Sequence, residues 1–252
     1  MRIRIKFRKN GVMRFVGHLD IMRYFQKAMR RADIDIAYSE GFSPHQIMSF
    51  AAPLGVGITS DGEYLDIEVK STDSTEVSLR ALNAVMADGM EVSEYVALRQ
   101  EAKKAMTAVA AADYFVYFKK NEDFSADEIR EMIRGYYTDR AQIAITKQTK
   151  KSEKTIDAKP LIYQFAPWAM EVAEPNTELD GCRGFFLQLC TGSTDNIKPE
   201  LVLRDFYEFF GKAYDPFNLQ IHRLEIYEQT GDGLRPLYQA GDRIVSRDGA
   251  AV

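Results

Sequence analysis

Residues 2–8 read Arg2-Ile3-Arg4-Ile5-Lys6-Phe7-Arg8, in strict alternation of basic and apolar side chains. Successive side chains of a β-strand point to opposite faces, so this pattern predicts a half-buried strand with its apolar residues inward. Residues 64–69, Tyr64-Leu65-Asp66-Ile67-Glu68-Val69, alternate in the same way and predict a second strand. Between the two strands, residues 18–32 carry apolar side chains at helical spacing and predict an amphipathic helix with a basic flank.

The order of the predicted elements indicates the fold class. Residues 1–100 give strand, helix, two strands, helix and strand, and residues 113–228 repeat that order. We therefore expect an α+β protein made of two tandem ferredoxin-like (βαββαβ) sandwiches. Residues 101–112 are rich in Ala and form the connection, while residues 229–252 are predicted to be a flexible tail.

Such a sandwich would place the first and third strands side by side at the centre of the sheet. Its helix-covered face would hold the apolar residues of both strands, namely Ile3, Ile5, Phe7, Leu65, Ile67 and Val69. The opposite face would be open and would carry Arg2, Arg4, Lys6 and Arg8 beside Tyr64, Asp66 and Glu68. That face is either a phosphate-binding platform or a set of cross-strand ion pairs.

Composition excludes several classes of protein. The chain has 252 residues, of which 46% are hydrophobic and 28% charged, as is ordinary for a globular protein. No apolar run approaches the roughly 18 residues that span a bilayer, and the first residues are no secretory signal, so no membrane association is expected. The two cysteines, Cys182 and Cys190, lack metal-ligand spacing, so we expect neither a metal nor a cofactor. So few cysteines indicate a cytoplasmic location.

The charge is distributed unevenly along the chain. Residues 1–31 hold ten Lys and Arg and one acid, a balance of +9, whereas the other 221 residues hold 23 bases and 36 acids, a balance of −13. This asymmetry suggests an anionic partner for the basic element, and RNA is the partner we predict. The candidate phosphate ligands are Arg4 and Lys6 on the strand, Arg14 before the helix, and Arg23, Lys27 and Arg30 on the helix flank.

Two histidines are candidates for acid–base chemistry. His18 lies at the predicted helix start, and His45 lies in a loop rich in Gly and Pro. Together with Tyr38 they would suffice for metal-independent RNA cleavage, by activating a 2′-hydroxyl and protonating the leaving oxygen. The alternative is that both histidines only cap and brace their loops. Because no phosphate loop or covalent-catalysis motif occurs, a non-catalytic role is favoured.

Three motifs carry a resemblance to a known family. They are Gly17-His18-Leu19-Asp20-Ile21-Met22-Arg23, Ala37-Tyr38-Ser39-Glu40-Gly41-Phe42-Ser43-Pro44-His45 and Ser49-Phe50-Ala51-Ala52-Pro53-Leu54-Gly55-Val56-Gly57. They resemble the bacterial radical-SAM-associated protein family, a domain of unknown function found alone or fused to a radical-SAM enzyme. The resemblance implies a radical-SAM iron–sulfur enzyme as partner, acting on RNA. This chain has no CxxxCxxC motif, so it would bind or position the substrate.

A second resemblance is at the level of the fold. The tandem ferredoxin-like order is similar to that of the CRISPR RNA-processing endoribonucleases, and His18 is the one position to which that likeness extends.

The sequence thus predicts an RNA-binding accessory protein that positions a tRNA or rRNA substrate for a radical-SAM RNA-modifying enzyme. Tyr38, Phe42 and His45 are predicted to form the edge of its substrate pocket. Two alternatives stay open: an endoribonuclease that uses His18 and His45, and a protein–protein adaptor whose basic segment is paired internally.

Overall fold

The computed structural model describes residues 1–119, 124–148, 153–169, 183–192 and 195–246. In these ranges the helices are α1 (His18–Arg31), α2 (Thr75–Asn83), α3 (Ala105–Ala108), α4 (Ala126–Ile133) and α5 (Pro199–Phe209). The strands are β1 (Arg2–Lys9), β2 (Met48–Phe50), β3 (Thr59–Glu68), β4 (Met90–Leu98), β5 (Val109–Phe118), β6 (Ala144–Gln148), β7 (Glu153–Asp157), β8 (Ile162–Ala169), β9 (Arg183–Cys190), β10 (Leu219–Thr230), β11 (Gly233–Pro236) and β12 (Gly241–Arg243).

These elements confirm a mixed α and β protein whose strands pair mostly antiparallel. The chain divides into two compact units, one made of Met1–Ala110 with Glu225–Val252 and the other of Ala111–Leu224. Strand β10 begins in the second unit and ends in the first. The finer expectation of two tandem ferredoxin-like sandwiches stays a prediction.

In the first unit, β1 lies between β3 and β4 and is antiparallel to both. Ile3 faces Ile67 across the sheet, and Ile5 faces Leu65. Their side chains are fully buried with Phe25 and other apolar residues of α1, as the alternation predicted. Each such side chain stabilises the fold by about 1.5–3 kcal/mol relative to exposure. Short strands extend the sheet at two places, where β2 pairs with β3 and β12 pairs with β4.

The predicted flexible tail is wrong for residues 229–246. Strand β10 continues to Thr230 and turns into β11, and a 3₁₀ turn, Leu237–Ala240, leads into β12. The side chain of Leu237 is fully buried. This segment returns to the first unit and contacts residues of β1 there. Residues 247–252 lie outside the described part of the chain.

In the second unit, β9 pairs with β5 on one side and β8 on the other, and β6 and β7 form a separate hairpin. Ser125 and Glu128 form a reciprocal capping box that starts α4. The core is aromatic, with the rings of Tyr136, Phe185 and Phe206 in edge-to-face contacts at 5.2–5.3 Å. Among the described residues, no helix has the length and apolar character needed to cross a bilayer.

Candidate nucleic-acid interface

Arg4 does not lie on an open face. Its side chain is completely buried, with Nε and Nη2 donating to the two carboxylate oxygens of Asp66 at 2.7 and 2.9 Å. Nη1 donates to the carbonyl of Leu237 at 3.0 Å, and Nη2 also donates to the carbonyl of Lys103 at 2.9 Å. Because its donors are engaged inside the protein, Arg4 is not available to a phosphate, and its predicted role as an RNA ligand is wrong.

Lys6 is also neutralised inside the first unit. Its Nζ lies 2.7 Å from Oε2 of Glu225, whose Oε1 accepts a hydrogen bond from the Tyr64 hydroxyl at 2.6 Å. Burial and the neighbouring Glu225 carboxylate raise the pKa of Tyr64 above its usual value. Arg8, half-exposed, pairs with Glu91 at 3.1 Å. On this strand Arg4 pairs with Asp66, as the cross-strand alternative predicted, whereas Lys6 and Arg8 pair with Glu225 and Glu91, which that alternative did not name.

The helix flank is different from the strand, because α1 places Lys27 and Arg30 in solvent. The helix buries Ile21, Phe25 and Met29 against the sheet, which puts positions 23, 27 and 30 on its outer side. Side chains three or four residues apart on a helix are neighbours at roughly 5–6 Å between Cβ atoms. These positions therefore form one continuous stripe.

The three cations of this stripe are not equivalent. Arg23 lies 3.0 Å from Asp20, an exposed pair that screens part of its charge. Within the described ranges, neither Lys27 nor Arg30 has an acidic side chain or a hydrogen-bond acceptor as partner. The exposed positive charge of the first 31 residues is thus concentrated toward the C-terminal half of α1.

A loop with two aromatic residues is attached to α1 beside this stripe. Tyr38 and Gln46 form an antiparallel bridge at the base of the loop. The buried Gln46 side chain donates from Nε2 to the Gln26 carbonyl of α1 at 3.2 Å. Gln26 immediately precedes Lys27, so the base of the loop lies next to the basic stripe.

The loop is closed by a second set of hydrogen bonds, between Ser39 and His45. The backbone N–H of Ser39 donates to the His45 carbonyl at 2.8 Å, and the His45 N–H donates to Ser39 Oγ at 3.1 Å. His45 Nδ1 also lies 2.8 Å from Ser39 Oγ. Gly41 turns the chain with a φ of +106°, a conformation that favours glycine.

Phe42, at the tip of this loop, is fully exposed. Its ring is surrounded by solvent, and the predicted pocket edge at this position stays a prediction. Tyr38 is about half-exposed, and His45 is exposed and braces the loop. Sequence reasoning missed Ser39, Gln26 and Gln46, which hold the loop; only the Gly and Pro of the loop marked it as a turn.

His18 and His45 are held by different neighbours and do not contact each other. The His18 ring packs edge-on against Phe50, with ring centroids 5.0 Å apart. It lines a cavity of about 10 Å³ together with Lys9 and Glu63, which is room for about one water molecule. The geometry brings no acid–base pair together at these two positions.

Arg14 lies in the 3₁₀ turn Gly11–Phe15 that precedes α1. Its guanidinium lies over the ring of the exposed Phe15, 4.9 Å from the centroid, and its carbonyl accepts a hydrogen bond from Gly57 at 2.8 Å. The hydrogen bond from Gly57 attaches the end of the third motif of the sequence, residues 49–57, to the turn before the helix.

The described part of the chain contains no cluster of three His, Cys, Asp or Glu side chains arranged to hold a metal ion. Comparison with known proteins gives one family. The family model described as "Uncharacterized protein conserved in bacteria (DUF2344)" matches residues 2–199. No curated protein matches the chain.

Proposed function

The chain belongs to this conserved bacterial family, DUF2344, and we propose that it is an RNA-binding accessory protein that positions an RNA substrate for a radical-SAM RNA-modifying enzyme. The observation that carries the RNA part is the pair of unpaired cations in the basic stripe of α1, Lys27 and Arg30, beside a hydrogen-bonded loop with exposed aromatic rings. Cations bind phosphates and aromatic faces stack on bases, so a surface that combines them suits a single strand or loop of RNA. Arg14 and Arg23 flank this surface as weaker contributors, because both already have local partners.

The enzyme partner is supported by the resemblance of the three motifs to the radical-SAM-associated family. Two of these motifs, residues 17–23 and 37–45, form the start of α1 and the loop of the proposed RNA surface. The third, residues 49–57, packs against His18 and Arg14 at the start of the same helix. An accessory protein of this kind acts in the cytoplasm, where tRNA and rRNA are modified. We also propose the tandem ferredoxin-like architecture, because the order of the predicted elements along the chain supports it.

The test is the salt dependence of RNA binding. For single-stranded RNA the logarithm of the binding constant falls with the logarithm of salt concentration by about 0.7 for each phosphate contact. Replacing Lys27 and Arg30 by Gln should therefore flatten the slope by about 1.4. Between about 50 and 200 mM salt, the wild-type protein should lose about sevenfold more affinity than this double variant.

The matched control replaces Lys70 and Arg80 by Gln. Both are exposed in the same compact unit, and their replacement removes the same net charge. If the control and the Lys27→Gln/Arg30→Gln variant lower the slope equally, the helix stripe is not the RNA site.

One observation favours a second candidate, the protein–protein adaptor. Arg4, Lys6 and Arg8 are paired with acids of the first unit, as that hypothesis requires of the basic strand. A pulldown with the partner enzyme separates the two candidates. If the protein is an adaptor, the wild-type chain should retain the enzyme after ribonuclease treatment. It should also bind RNA no more tightly than the Lys27→Gln/Arg30→Gln variant does.

A further inference from the structure

Phe42 is the most exposed large apolar side chain among the described residues. Single exposed apolar residues are common on protein surfaces and need no explanation alone. The Phe42 ring differs because it stands at the end of a loop that is built and closed rather than at a random surface position.

The loop holds the backbone that carries the ring in place before any ligand arrives. Three hydrogen bonds join Ser39 and His45, counting the contact between Ser39 Oγ and His45 Nδ1. Pro44 restricts the backbone further, and Gly41 makes the turn that presents Phe42. Because the loop backbone is already fixed, binding at Phe42 costs little backbone conformational entropy, which is the property of a preorganised contact.

The base of the loop is attached to α1 next to the unpaired cations. Gln46 fixes the base of the loop to the Gln26 carbonyl, one residue before Lys27. Phe42 is three residues from the closing residue Ser39, so its backbone extends at most about 10 Å from the base of the loop. That distance is on the scale of a few nucleotides of a single strand.

From these observations we infer that the loop of residues 39–45 binds an unpaired nucleotide, whose base stacks on Phe42 while adjacent phosphates face Lys27 and Arg30. The inference rests on the proposed RNA-binding function and names the RNA element that the surface recognises. A base within a duplex is covered on both faces by its neighbours and cannot stack on a side chain. An unpaired base in a loop or bulge exposes its face, and such bases are bound by stacking on aromatic rings.

Two short RNAs test the inference: a hairpin with an unpaired loop that carries 2-aminopurine, and a duplex with the same stem sequence and no unpaired base. The wild-type protein should bind the hairpin more tightly and change the 2-aminopurine fluorescence. Phe42→Ala should weaken hairpin binding by roughly 5- to 150-fold, the range for one stacked base, and leave duplex binding unchanged. Phe42→Trp should retain the preference for the hairpin.

The control is Phe217→Ala, which removes another highly exposed ring from the second unit. It should leave both affinities unchanged. Ser39→Ala, which removes the hydroxyl that braces the loop, should weaken hairpin binding while the ring is kept.

Equal binding of hairpin and duplex, unaffected by Phe42→Ala, would overturn the inference and leave the proposed RNA-binding function standing. Failure to bind either RNA at low salt would overturn both. Phe42-dependent binding to vesicles of anionic phospholipid, with no preference between the RNAs, would assign the loop to a membrane surface and refute the stacked nucleotide.

Discussion

Replacing Arg4 by Met removes the positive charge of a buried ion pair while keeping a long apolar side chain. In the structure, Asp66 would keep only the hydrogen bond from the Ala105 N–H at 2.7 Å. The carbonyls of Leu237 and Lys103 would each lose the Arg4 donor. Breaking a buried pair by removing one partner costs about 3–5 kcal/mol, and the Asp66 side chain is only 13% exposed, so its charge would stay largely out of water. We expect a loss of that size in the free energy of unfolding of the first unit.

Native-state hydrogen exchange read on peptides of β1 and β3 measures this loss, because it reports the first unit separately from the second. Arg8→Met is the matched control on the same strand; Arg8 is half-exposed, so its pairs contribute about 0–1 kcal/mol. The double variant Arg4→Met/Asp66→Leu should be more stable than Arg4→Met, because it leaves no unpaired charge. A loss below about 1 kcal/mol in Arg4→Met would refute the buried pair and restore Arg4 as an exposed residue.

Two further predictions concern stability. Above pH 10 the stability of the protein should fall as pH rises, because the raised pKa of Tyr64 keeps its hydroxyl protonated in the folded state while the unfolded chain ionises. In urea unfolding at increasing pH, Tyr64→Phe should reduce that fall by about 1.4 kcal/mol per pH unit, and an unchanged slope would show that Tyr64 is solvated. Gly89→Ala should destabilise the protein by about 1–3 kcal/mol, since φ at this position is +84° and a Cβ would lie 2.5 Å from the Asn10 carbonyl oxygen. Gly231 has open space around it, so Gly231→Ala should leave the urea midpoint of unfolding nearly unchanged. Equal losses of stability in the two variants would contradict the argument.

Local patterns in the sequence were enough to predict the strand and the helix next to the proposed interface. The alternation in β1 and the helical spacing in α1 depend only on residues a few positions apart, and both elements form with their apolar faces inward. The same spacing shows that Arg23 has an acid three residues earlier, and the structure contains that pair.

The outer face of β1 was not predictable in this way. Arg4 donates to the carbonyl of Leu237, 233 residues further along the chain, and Lys6 pairs with Glu225. Residues 229–246 look like a polar tail because their pattern contains no long apolar run, yet they return to the first unit and bury Leu237. Contacts between residues more than 200 positions apart, such as Arg4 with Leu237, produce no periodic pattern that can be read from a single sequence.

The sequence predicted where the loop lies along the chain but not how the loop is attached to the helix. Its Gly and Pro residues indicate a turn, and Tyr38, Phe42 and His45 were singled out as an edge of a pocket. What the sequence does not encode locally is the attachment of Gln46 to the Gln26 carbonyl, twenty residues earlier, which sets the loop beside the basic stripe. The exposure of Phe42 at the end of this loop follows from that attachment and from the turn at Gly41, and it could not be predicted from the local pattern.

The central claim, that the α1 stripe and its loop bind RNA, is tested most directly by ultraviolet crosslinking in the bacterial cell, followed by purification of the protein and sequencing of the attached RNA. We predict that a defined tRNA or rRNA site is enriched on the wild-type protein and on Lys70→Gln/Arg80→Gln, and is lost from Lys27→Gln/Arg30→Gln. Wild-type protein that carries no crosslinked RNA, or the same RNA recovered equally from all three proteins, would contradict the claim.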